Sequence, residues 1–213
     1  MWINAGFPAS QRNAISSGIP MWLGRWPLAL GLLAALLAVE AGLAATPDWI
    51  EGWKLAARWT ARVGFPIFIL TYSASSLLRL WPNVLTKALV RDRRWWGLGF
   101  AASHTVHLAA LVTYLQLIGE PPLVETLLGG GLAYALLFAM ALTSSDTAQR
   151  AMGRNWKRLH TAGIHWLWAV FVFTYGGRVA AGEEMPYAGI CVAVAFAALG
   201  LRIAAWVKTR NRR

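Results

Sequence analysis

The chain has 213 residues, of which 57% are hydrophobic and 14% charged, with a net charge of +11 and a mean hydropathy of +0.47. That is too apolar for an ordinary soluble domain. The basic residues fall in short clusters between apolar runs, which argues against a nucleic-acid binder, and the lone Cys191 excludes an intramolecular disulfide or a thiolate metal site.

A transmembrane helix needs ~20 mostly apolar residues, and six candidates follow one another. Residues 1–23 read as an N-terminal cytoplasmic tail. The first span covers roughly 24–45; it is longer than the ~7–15 apolar residues of a signal-peptide core. Spans two and three cover 61–80 and 95–118. Spans four, five and six cover 126–143, 159–176 and 186–207, and 208–213 form a basic tail. The expected fold is an all-α integral membrane protein, a six-transmembrane-helix bundle in one domain (24–207) with both termini cytoplasmic. Short loops fit antiparallel neighbours.

Charge sets the direction. Arg12 and Arg25 precede span one. Arg79, Lys87, Arg91, Arg93 and Arg94 separate spans two and three. Arg150, Arg154, Lys157 and Arg158 separate spans four and five, and Arg202, Lys208, Arg210, Arg212 and Arg213 close the chain. These are 16 of the 20 basic residues, all on one side of a six-span arrangement. The opposite loops carry Asp48, Glu51, Glu120, Glu125, Glu183 and Glu184. Excess Lys/Arg marks the cytoplasmic side, with anionic lipid headgroups as a further partner for the basic charge.

The four histidines lie in two of these spans. His104 and His107 are in span three; His160 and His165 are in span five. A polar side chain at that depth is costly and has a partner. The plain reading is a hydrogen bond between helices. Neutral imidazole is also the commonest metal ligand, and imidazoles facing each other across a bundle hold a heme iron from both faces. Zinc fits less well, because no Asp, Glu or Cys stands near the His104–His107 pair to complete a tetrahedron.

"RRWWGLGFAASHTVHL" (93–108), "LTSSDTAQRAMGRNWKRLHTAGIHWLW" (142–168) and "GFPIFILTYSASSLLRLWPNVL" (64–85) resemble the third helix, the fourth-to-fifth helix junction and the second helix of the ferric reductase-like transmembrane family, nearest to its MsrQ subgroup. The resemblance covers roughly residues 60–175. It implies a six-helix, heme b-containing protein of the bacterial inner membrane with one or two hemes, and with FMN or quinone as further candidate cofactors. Electrons would pass from a cytoplasmic flavin reductase or quinol donor to a periplasmic reductase or other acceptor. The expected role is a carrier subunit of an oxidoreductase that draws on a separate reductase partner. It uses no catalytic nucleophile or base.

By motif, His107 matches the family's third-helix heme histidine, and His160 matches the histidine of Trp-x-x-Leu-His. The family's further histidine, thirteen residues on, is here Phe173, so His104 and His165 stand as replacement ligands. Arg93 and Arg94 read either as partners of heme propionates or a flavin phosphate, or as plain cytoplasmic anchors. Tyr175 and Met140 read as core rather than as unusual axial ligands. Counted from the cytoplasmic anchors Arg94 and Arg158, His104 and His165 differ by three residues, or ~4.5 Å of helix rise. The family alignment sets them five residues apart, ~7.5 Å. The expectation is one heme held by His165 with His104 or His107, leaving His160 to a second heme or a propionate. Two other readings stay open: a membrane transporter whose histidines bind a metal ion or relay protons, and a heme-less assembly subunit.

Overall fold

The computed structural model describes residues 25–121 and 124–211; the tail expected at 1–23, and with it Arg12, lies outside them, as do Arg212 and Arg213. Every regular element among the described residues is a helix: α1 (Trp26–Ala44), α2 (Trp49–Leu80), α3 (Val84–Arg91), α4 (Arg93–Ile118), α5 (Val124–Leu142), α6 (Asp146–Met152), α7 (Arg154–Ala180) and α8 (Tyr187–Arg210). The protein is a multi-pass membrane protein by its apolar helices. Helices α1, α2, α4 and α8 are long and apolar enough to cross a membrane, and α5, bent by 106° into α6, makes a fifth if the pair counts as one span. The sequence reading expected six. Helix α7 is long enough at 27 residues, but His160, His165, Trp166, Trp168 and Tyr175 lower its hydropathy.

Helix α2 departs most from expectation. It begins twelve residues before position 61 and runs for 32 residues, ~48 Å at ~1.5 Å per residue. Asp48 starts it: its carboxylate accepts from the backbone N–H groups of Ile50 and Glu51, which are orphan donors of the first turn. The charges of Glu51, Lys54, Arg58 and Arg62 shorten the apolar run without ending the helix. Two short helices, α3 and α6, also occupy stretches expected as loops, each started by a side-chain cap, from Asn83 and Ser145 respectively.

The six long helices alternate in direction. Gly42 of α1 abuts Ala56 of α2, Arg178 of α7 pairs with Glu184, and Tyr187 of α8 lies under the Arg62 guanidinium; these contacts define a Glu184 end. Arg25 over Trp95 and Lys208 on the Leu80 carbonyl define the opposite, Arg93 end. Both described chain ends lie there.

Two packing modes build the bundle. Helix α1 touches both α2 and α4 backbone to backbone. A Cβ on Gly31 would sit 2.5 Å from the Gly99 carbonyl oxygen, and one on Gly99 would strike the Pro27 carbonyl. Helix α7 is tied to its neighbours by indole N–H groups: Trp156 donates to the Thr143 carbonyl (2.8 Å), Trp166 to Gly129 (3.2 Å) and Trp168 to Ala195 (2.9 Å). Between the two sets lies an aromatic layer of Phe65, Phe68, Phe100, Phe171 and Tyr175.

At the Glu184 end one carboxylate gathers three guanidiniums. Arg58 Nε and Arg62 Nη2 each lie 2.9 Å from it, and Arg178 Nη1 makes a third contact. Burial by itself pushes the Glu184 carboxyl up, but the hydrogen bond from Arg62 and the charges of Arg178, Arg62 and Arg58 outweigh it and hold the group below the ordinary 4.5.

Two predictions follow from this packing. Gly99→Val forces α1 and α4 apart and costs ~1–3 kcal/mol, the usual range for overpacking; tryptophan-monitored thermal unfolding in detergent will give a lower Tm than the parent. A carboxylate with a depressed folded-state pKa adds stability above its unfolded value and loses it as pH falls through the folded value. The parent therefore loses Tm on acidification below about pH 4.5, and Glu184→Gln loses less. Equal losses in both between pH 7 and pH 3 would remove Glu184 from the acid response.

Candidate functional site

Helix α4 turns both of its histidines inward. His107 Nδ1 lies 2.9 Å from the Ala57 carbonyl oxygen of α2 and 3.1 Å from Thr60 Oγ1. A carbonyl only accepts, so the bond to Ala57 puts the ring proton on Nδ1. The Thr60 hydroxyl is already turned to the Ala56 and Ala57 carbonyls. This leaves the Nε2 lone pair of His107 without a hydrogen-bond partner among the described residues. A backbone carbonyl on one ring nitrogen, with the other bare, is the arrangement that fixes an imidazole for metal ligation.

His104 lies one turn nearer the Arg93 end and is only 8% exposed. Its ring is 5.5 Å from His107, 4.2 Å from Phe100 and 5.6 Å from Phe171 of α7 (centroid distances). Gly64 of α2 makes its place, since any Cβ there would collide with the imidazole. The buried Nδ1 of His104 has no hydrogen-bond partner, a costly state for a polar atom in an apolar layer.

The α7 histidines differ from each other. His165 Nδ1 lies 2.7 Å from the Thr161 carbonyl oxygen in its own helix, so this ring also carries its proton on Nδ1 and presents a bare Nε2. The ring meets Tyr72 of α2 edge-on at 5.8 Å. His160 is engaged on the other nitrogen. Its Nε2 is 3.2 Å from Thr143 Oγ1, whose own proton goes to the Ala139 carbonyl, and its ring stacks on Trp156 at 4.0 Å.

His104 is brought to His107, but the α7 pair is not brought to either. His104 touches Phe171, six residues beyond His165, an offset of ~9 Å along α7. This is closer to the family alignment than to the count from Arg94 and Arg158. Phe173 is 79% exposed, on a different face from Phe171 and Tyr175. Met140 covers Gly163 of α7, and Tyr175 packs on Phe65.

At the Arg93 end, Arg93 Nη1 donates to Ser75 Oγ at 3.1 Å, while Arg94 lies near the Trp95 ring. Sequence reasoning missed Arg202, whose guanidinium lies 4.4 Å over the Tyr72 ring and donates to the Tyr72 carbonyl. It also missed the hydroxyl of Tyr72, buried without a partner. A cavity of about 370 Å³ opens between Met152, Arg154, Asn155 and Arg158, at the start of α7 rather than between the histidines. Among the described residues no three His, Cys, Asp or Glu side chains converge as a metal site.

No family model matches the chain, and no solved structure does. Among curated proteins it is similar to the "Protein-methionine-sulfoxide reductase heme-binding subunit MsrQ" of Cronobacter sakazakii, with 32% identity over 131 residues. The match takes in 54% of this chain and 64% of that relative, so the chain spans somewhat less than two thirds of the protein it matches. Over the matched stretch the chain is similar in sequence to that MsrQ protein.

Proposed function

We propose that the protein is a heme b-containing electron carrier of the bacterial inner membrane, with six spans and both termini cytoplasmic. In this reading α7 is the remaining span, and the Arg93 end, with its many cations, faces the cytoplasm. Electrons enter there from a flavin reductase or quinol, with FMN or quinone as candidate mediators, and leave at the Glu184 end to a periplasmic reductase or other acceptor.

The observation that carries this reading is the shared state of His107 and His165. Each has Nδ1–H tied to a backbone carbonyl and Nε2 bare, inside helices where an unpaired polar atom is costly. The orphaned Nδ1 of His104 beside the bare Gly64 adds to it. These residues fit a heme: the bare imidazole nitrogens would hold its iron, and the group would bring the further donors that the side chains lack. When bound, heme supplies a one-electron couple whose potential the protein sets through its ligands, burial and hydrogen bonds.

The chain's own residues divide the remaining work. His165 serves from α7, and His107 or His104 from α4; the bond to Ala57 favours His107, and the smaller offset from His165 along the bundle favours His104. His160, held through Nε2 by Thr143, serves a second heme or a propionate. Arg93 neutralises carboxylates at the Arg93 end, a role for which guanidinium geometry is suited, and Arg202 stands beside it. The aromatic layer excludes water between α4 and α7.

Dithionite-reduced minus oxidised spectra of the purified protein, made with ample heme, will show b-type bands. His165→Ala and His107→Ala will each lose most of the heme, whereas His160→Ala will keep it. Clean, folded protein with no such bands would end the electron-carrier reading and leave transport or assembly. Heme lost in His160→Ala and kept in His165→Ala would return the α7 ligand to the family position.

A further inference from the structure

Of the nine Asp and Glu side chains, only Asp92 and Asp146 belong to the Arg93 end; the other seven lie toward the Glu184 end. The sixteen basic residues of the Arg93 side, less Arg12, Arg212 and Arg213, leave thirteen among the described residues to set against those two acids. Asp92 is already taken, since Arg91 holds it through Nε at 2.8 Å and Nη2 at 2.7 Å. Asp146 lies in the first turn of α6. With every acid counted, this end still carries a large positive excess.

Three guanidiniums of that end gather on one stretch of α2. From α8, Arg202 donates to the Tyr72 carbonyl at 2.8 Å and lies 4.4 Å over the Tyr72 ring. From α4, Arg93 donates to Ser75 Oγ, one turn further on, at 3.1 Å. Arg79 follows on α2 itself, and a long helical side chain leans back toward the start of its helix. The charge of Arg202 is felt at Arg93, and that of Arg79 at Arg202. Among the described residues none of the three makes an ion pair. The partners of Arg93 and Arg202 are neutral: a hydroxyl, a carbonyl and a ring face. Tyr72 is fully buried, and its own hydroxyl has no partner. Cations held inside a membrane bundle by neutral groups alone are costly, and like charges so close together repel. The arrangement calls for an anion.

The surroundings say which kind. Lys208 Nζ on the Leu80 carbonyl marks the outer level of this end, six residues beyond Arg202, ~9 Å by helix rise. Trp81 at the end of α2 is exposed, and so are Ile203, Trp206 and Val207, which follow Arg202 on α8. Indole rings favour the membrane–water interface, and arginine lays its stem on apolar surface while its head seeks the polar boundary. Phosphate oxygens take guanidinium in fork geometry. A molecule with a phosphate head and apolar chains matches both the charges and the exposed apolar side chains below them; a soluble anion matches only the charges.

We propose that Arg79 and Arg202, with Arg93 beside them, seat the phosphate of an anionic phospholipid at the junction of α2 and α8, with its acyl chains along the exposed apolar face of α8. The lipid supplies the counter-charge that the chain lacks there and, through Arg202, ties α8 to α2. The site needs no heme, so it stands or falls apart from the electron-carrier reading.

The full chain, purified in mild detergent and stripped of lipid, is titrated with phosphatidylglycerol, phosphatidylcholine or inorganic phosphate. Native mass spectrometry counts retained lipid, and thermal unfolding gives the Tm. One phosphatidylglycerol is expected to bind more tightly than phosphatidylcholine and to raise the Tm, and inorganic phosphate is expected neither to displace it nor to replace its effect. Arg79→Gln/Arg202→Gln is expected to weaken phosphatidylglycerol binding roughly thirtyfold, as two basic contacts are lost. Arg154→Gln/Arg158→Gln removes two charges from the same end and is expected to leave that binding unchanged. If the first double variant fails to fold, Arg79→Gln alone, at an exposed position, carries the test with a loss of about fivefold. Equal weakening in both double variants would overturn the proposal, because it marks a general basic face. Displacement by inorganic phosphate would also overturn it, in favour of a soluble anion. So would loss of phosphatidylglycerol when the protein is loaded with heme, which marks arginines committed to heme propionates.

Discussion

An imidazole inside an apolar bundle must account for two ring nitrogens, and the bond from His107 to the Ala57 carbonyl does half of that. It also sets a condition on the fold. The carbonyl belongs to the middle of a helix, so the histidine can reach it only if α2 and α4 run nearly in contact. Thr60 and Gly64 meet that condition on α2. The Thr60 hydroxyl bonds back to its own helix, and Gly64 yields its side-chain space to the His104 ring. On α4, Gly99 lets α1 close against the same unit. In a membrane, where burial of apolar surface against lipid gains little, such close approach by small residues is the main source of helix association. The geometry around the histidine and the stability of this half of the bundle therefore have one cause.

The other half works differently. Helix α7 meets its neighbours through large rings, with its indole N–H groups on their backbone carbonyls and the small buried residues Ala188, Cys191, Ala195, Ala198 and Ala205 on α8. Each such bond saturates a donor that hydrocarbon would not. The two halves meet across the aromatic layer, so α4 and α7 are spaced by ring side chains instead of touching as backbones. A seam spaced by rings separates more readily than one locked by glycine, because side chains can turn while backbones cannot. The four histidines stand on the two helices that border this seam.

Much of this was legible in the sequence. Hydropathy located the apolar helices, and the motif resemblance picked out the two that carry histidine. What it missed has physical reasons. Helix α2 was cut short because Lys54 and Arg58 read as loop, whereas Asp48 caps a helix that continues through them. Helix α7, expected as span five, falls short on hydropathy although its length suffices, because tryptophan, tyrosine and histidine score as polar while burying large rings. Of the two depth counts for His104 and His165, the contact of His104 with Phe171 lies nearer the one from the family alignment. Tautomer was not legible at all: nothing in "HTVHL" says which nitrogen of His107 meets a carbonyl fifty residues away. Gly64 had no signal either, since its reason is the His104 ring on another helix.

Charge shows the same limit in a sharper form. A count assigns every Arg and Lys to a side and treats the residues as equivalent. In the fold they are not. At the Arg93 end, Arg202 and Lys208 bond the Tyr72 and Leu80 carbonyls, the latter in the last turn of α2, where a cation also complements the helix dipole. Those charges are spread out, each with its own backbone acceptor. At the Glu184 end, three arginines from two helices share one carboxylate on a loop. Like charges so close together stay there only when a counter-charge sits between them, and Glu184 is sunk between all three. A single carboxylate can hold three guanidiniums together, an arrangement that a topology rule based on totals would never assign to the Glu184 end.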